Sequence, residues 1–150
     1  MLRWSSLLFA TVVAHAYHAR SAAHHHLFLA VTALSLLHHG GACAAPPPQA
    51  SILVAWADRA VAHAAFAYVV LVDLRLGAPM MMMADARLFG AVGAACAVVA
   101  ALWAAEHSAR AQRLLGLSAD ALHACLHAVS VAGLHALLLG AFEGAEEGAA

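Results

Sequence analysis

Residues 121–142 read ALHACLHAVSVAGLHALLLGAF, twenty-two positions without an Asp, Glu, Lys or Arg. A spanning α-helix needs about 20 mostly apolar residues, so this stretch is long enough to cross a bilayer. It also carries three imidazoles, His123, His127 and His135, where a plain anchor would carry none. His123 and His127 stand at i and i+4, one turn apart on a single helical face.

Working outward from this stretch, four further apolar runs are separated by Pro, Gly or charge: residues 4–17, 26–42, 52–72 and 88–105. Their connections are short. They are Ser21 to His25, a turn at Pro46-Pro47-Pro48, a stretch holding Asp73, Arg75, Asp85 and Arg87, and one holding Glu106, Arg110, Arg113 and Asp120. The pattern predicts an all-α, polytopic transmembrane helical bundle of about five spans (4–17, 26–42, 52–72, 88–105 and 121–142), one domain over residues 1–150 of an integral, multi-pass membrane protein. The N-terminus permits a rival reading, because Arg3, an apolar run and Ala14-His15-Ala16 resemble a cleaved signal peptide. A retained first helix is preferred: the polar part expected before a cleavage site is missing, and the next apolar run follows within a few residues. Met80 to Met83 read as interfacial apolar filler.

Composition agrees with this reading. The chain is 65% hydrophobic and 10% charged, with a mean hydropathy of +0.83, whereas soluble domains are about 45–50% apolar and about 25% charged. Seven Arg, no Lys and eight acidic residues leave a net charge of -1, so there is no basic face for nucleic acid. The implied partner is membrane lipid. Arg3, Arg110 and Arg113 fall on one side of the alternating path and Arg20, Arg75 and Arg87 on the other, a near tie that leaves sidedness open. Cys43, Cys96 and Cys125 lack any CxxC spacing and read as small apolar residues.

The anomaly is histidine, 12 in 150 residues. Charges and imidazoles inside a span are costly, about 2.5 to 3.5 kcal/mol for a central Asp or Arg on insertion scales, and mark functional hypotheses. Ser35 and His39 close the second run at i and i+4. Asp58 opens the third, and His123 with His127 opens the fifth. If the first helix leaves one face, call it side A, the second returns to A at His39, while the third and fifth depart from A at Asp58 and His123. An alternating path thus sets all of these groups at one depth.

Three imidazoles and a carboxylate at one level suit a catalytic zinc, which takes three protein ligands at about 2.0–2.1 Å and keeps one position for water. His39, His123 and His127 are the expected metal ligands. Asp58 is the expected general acid/base and Ser35 the hydrogen-bonding partner of water or of a developing oxyanion. The blander alternative is that such His pairs simply hydrogen-bond across the bundle. Asp58 beside Arg59 also reads as an internal ion pair, His63 and His135 as lone polar residues, and His24-His25-His26 as a wetted loop patch.

These residues resemble the CREST superfamily of membrane hydrolases, which includes alkaline ceramidases and the progestin and adipoQ receptors. The shared pattern is SxxxH in one helix, an Asp opening the next and HxxxH in the last, here Ser35xxxHis39, Asp58 and His123xxxHis127. Within that superfamily the chain is most similar to myomaker-like and post-GPI-attachment lipase-like transmembrane proteins, over roughly residues 5–75 and 88–142. The resemblance implies a zinc-dependent hydrolase of a lipid amide or ester. It departs from the family in span number: members have seven, and two middle helices lack counterparts between Val72 and Leu88. Two rival expectations remain, a non-catalytic membrane-remodelling or cell-fusion protein with structural zinc, and a haem b or metal-transport protein using transmembrane histidines.

Overall fold

The structure is a computed structural model that describes residues 2–18, 21–40, 48–74 and 86–147. Every regular element among them is helical: α1 (Leu2–His18), α2 (Ala22–Gly40), α3 (Pro48–Tyr68) running on into a π-helical turn (Val69–Leu74), α4 (Ala86–Glu106), α5 (Ala109–Leu115) and α6 (Ala119–Glu147). Cys43, the Pro46-Pro47 pair and the Met80 to Met83 run lie outside the described residues.

Among the described residues, three helical stretches are long and apolar enough to cross a membrane, Ile52–Leu74, Ala86–Glu106 and Ala119–Leu139. The other two long helices fall short for physical reasons. α1, at 17 residues, stands at the lower limit of spanning length, and α2 carries His24, His25, His26, His38 and His39, whose polarity lowers its mean hydropathy.

Local chemistry moves several boundaries away from the sequence reading. His24, His25 and His26 lie inside α2 rather than in a loop. Ser21 stands just before that helix, its carbonyl accepting from the His25 N–H at 2.9 Å and its hydroxyl 2.6 Å from His24 Nδ1. Asp58 does not open α3, because Pro48 begins that helix, a position where proline's missing N–H costs nothing and its fixed φ already suits the turn. Asp58 therefore sits almost three turns in. Between α4 and α6, where the sequence predicts a connection, the chain forms the short α5. Ser108 caps its start, accepting from the Ala111 N–H at 3.2 Å, and Gly116 ends it at φ 65°, a left-handed conformation that glycine adopts freely.

The helices neighbour one another in the order α3, α2, α1, α6, α4, with α4 and α6 forming the most extensive pairing. α3 meets α4 mainly through the π-helical turn. The backbones of α3 and α4 thus stay apart along most of their length, and the His63 and Trp103 rings reach across the gap at 5.9 Å. The core joins Phe9, Val12 and Ala16 of α1 to Phe28 and Val31 of α2, with Val131, Leu134 and Leu138 of α6 closing it. Gly133 lets α4 approach, since a Cβ there would lie 2.6 Å from the Ala95 Cβ. Small residues at such contacts are how membrane helices gain packing without help from water.

Polar ties reinforce the apolar contacts. His24 Nε2 lies 3.0 Å from Asp73 Oδ2, joining the start of α2 to the π-helical turn. Thr11 donates to the Leu8 carbonyl, so its oxygen accepts from His135 Nε2 at 3.0 Å. His135 Nδ1 in turn meets His15 Nδ1 at 2.8 Å, joining α1 to α6.

Candidate metal centre

One end of the bundle collects the end of α2, the start of α6, the beginning of α1 and the end of α4. There the rings of His39, His123 and His127 converge: centroids are 5.1 Å apart for His39 and His123, 5.9 Å for His39 and His127, and 4.6 Å for His123 and His127. One ring nitrogen from each lies within 4.8 Å of the other two. Nitrogens on a common zinc at about 2.0–2.1 Å stand roughly 3.4 Å apart in a tetrahedral site, so the rings need only a small inward turn to share an ion.

The donor set passes a second test. His123 Nδ1 lies 3.0 and 3.1 Å from the two carboxylate oxygens of Glu106, while its Nε2 is buried with no hydrogen-bond partner among the described residues. A buried polar atom left unmatched is uncommon and asks for an explanation, and a cation supplies one. His127 is 6% exposed, its Nδ1 is 3.0 Å from Ser5 Oγ, and its ring meets Phe9 edge-on at 5.2 Å. One nitrogen of that ring is thereby tied and the ring plane is fixed.

Asp58 is buried in the bundle, and its Oδ2 lies 4.0 Å from His39 Nε2. His38 stacks at a tilt on His39 at 4.4 Å, and His38, His39 and Asp58 make a second, overlapping group of ligand atoms within 4.8 Å of one another. Ser35 is 2% exposed and its Oγ sits 2.9 Å from Ser6 Oγ. The five residues singled out from the sequence therefore come to one end of the molecule, three of them as a cluster, with Asp58 beside His39 and Ser35 one turn deeper on α2.

Ser35, His38, His39, Asp58, His123 and His127 all line a cavity of about 680 Å³. Its remaining wall is mostly apolar, with Phe28, Val31, Val69, Val92, Val99 and Leu134 leading away from the imidazoles. This is the usual make-up of a small-molecule site, a greasy chamber with a few converging polar groups.

Of the other histidines, His63 and His107 also line the cavity, away from the three-ring cluster. His63 bonds back to the Arg59 carbonyl within its own helix, and His24 and His135 belong to the ties described above. Sequence reasoning missed three neighbours of the cluster, Ser5, Ser6 and Glu106. Glu106 offered one signal: it ends an apolar run on the side where His123 begins the next. Compared with family models, curated proteins and solved structures, the chain matches none.

Proposed function

We propose that this protein is a zinc-binding, multi-pass membrane protein of the CREST type that hydrolyses an amide or ester of a membrane lipid. In this reading α1 and α2 span the bilayer along with the three more apolar helices, giving five spans. The observation that carries the reading is the convergence of His39, His123 and His127, with a buried, unmatched Nε2 on His123, at the head of a largely apolar chamber.

His39, His123 and His127 hold the ion. A zinc ion there supplies a Lewis acid that polarises a carbonyl and brings the pKa of water to about 7. Asp58, across from His39, takes a proton from water and returns it to the leaving amine or alkoxide. Ser35 donates its O–H toward the negative oxygen that develops on the acyl carbon, the Ser6 hydroxyl fixing its rotamer. The apolar walls hold the acyl chain, and the gap between α3 and α4 lets it enter sideways from the bilayer.

The test is metal analysis of the detergent-purified chain together with fatty-acid release from a panel of N-acyl and O-acyl lipids. About one zinc per chain is expected, with release that stops on chelation and returns with zinc. A metal-free chain, or release indifferent to chelation, contradicts the proposal. The open wall between α3 and α4 favours a second reading, a remodelling or fusion protein in which zinc only clasps α2 to α6. Zinc without turnover on any lipid of the panel selects it. A Soret band in place of zinc selects the haem reading.

A further inference from the structure

His123 and His24 both face a carboxylate at 3.0 Å, yet they differ at the opposite ring nitrogen. His24 spends its second nitrogen on Ser21. His123 keeps Nε2 buried and unmatched among the described residues, in the cluster shared with His39 and His127. A carboxylate only accepts, so in the neutral His123 ring the proton sits on Nδ1, where both Glu106 oxygens are in reach, and the lone pair is left on Nε2.

The position of Glu106 adds to this. It is the last residue of α4, where the helix dipole is negative and a carboxylate is disfavoured. An N–H aimed at that carboxylate offsets the penalty. The helix end is fixed as well, because Gln112 donates its side-chain N–H to the Glu106 carbonyl at 2.7 Å. α4 is also the helix packed most extensively on α6, so the carboxylate is held at a set distance from the ring.

We propose that Glu106 is a positioning residue of the metal centre, holding His123 in the tautomer and ring orientation that present Nε2 to a divalent cation shared with His39 and His127. The proposal rests on the metal reading above. Carboxylates placed behind ligating imidazoles are worth about 10- to 100-fold in metal affinity.

The experiment is a zinc titration of the full chain in detergent, stripped of metal and set against a chromophoric chelator, for the parent, Glu106→Ala, Glu106→Gln and, as a control on helix tying alone, Asp73→Ala. Glu106→Ala should bind zinc about 10- to 100-fold more weakly. Glu106→Gln keeps an acceptor oxygen and should lose less, with the metal-free Tm unchanged. Asp73→Ala should bind as the parent does. If Glu106→Ala fails to fold, Glu106→Gln decides: weaker binding at an unchanged metal-free Tm supports the role, and parental affinity overturns it. A parent that binds no zinc brings down the metal centre itself, whereas a parent that binds zinc alongside equally tight Glu106 variants brings down only the role of Glu106.

Discussion

Two regions of this molecule are rich in histidine and use it in opposite ways. Along the middle and far end, His24 and His135 each have both ring nitrogens engaged, the first by Ser21 and Asp73, the second by Thr11 and His15. Such closed rings act as staples between helices. At the other end, the outer nitrogens of His123 and His127 are tied to Glu106 and Ser5, and the inner side of the cluster opens onto the cavity. On the proposed metal reading, what separates a ligand from a staple is the pairing at the second nitrogen, since residue type and helical setting are similar in both regions.

The largest expected effect sharpens that contrast. His123→Ala and His127→Ala should each abolish stoichiometric zinc, since loss of one ligand in three leaves an incomplete site. His24→Gln and His135→Gln should keep it. Equal zinc in all four variants, by elemental analysis of purified protein, would erase the distinction. Next is Asp58→Asn, expected to keep zinc and fold while lowering lipid hydrolysis by about 10²- to 10⁴-fold, the usual worth of general acid/base help. If Asp58 only offsets Arg59, the same variant should lose zinc and fold together.

His38→Ala should cost less zinc affinity than His39→Ala, because His39 is the ring shared with His123 and His127. Equal losses would move the centre to the overlapping group of His38, His39 and Asp58. The smaller effects belong to the staples and contacts. Gly133→Ala should cost about 1–3 kcal/mol by overpacking against Ala95, and His24→Gln about 1 kcal/mol as one tie weakens. Both are read as a lowered Tm with unchanged zinc content.

The long helices were legible because apolar length is a one-dimensional signal. The grouping of His39 and His123 was legible because alternation fixes which helix ends share a face, and Asp58 joins them from almost three turns inside α3. Boundaries were less so. Three consecutive imidazoles at His24 to His26 look like a polar connection, yet Ser21 starts the helix before them. Pro48 looks like part of a turn, although proline is at home in the first turn of a helix. Ser5, Ser6 and Glu106 carry no periodic signal pointing at the cluster, because their roles arise from the packing of α1 and α4 on α2 and α6. Residues 109–115 gave no apolar stripe long enough to announce α5.

The central claim is that three imidazoles from α2 and α6 hold one ion, and zinc-edge X-ray absorption of the purified chain tests it most directly. The expected spectrum has about three imidazole nitrogens and one oxygen near 2.0–2.1 Å, with the imidazole count falling in His39→Ala loaded with excess zinc. A zinc shell of sulfur or of oxygen alone, or an imidazole count indifferent to His39, His123 and His127 in turn, would contradict it.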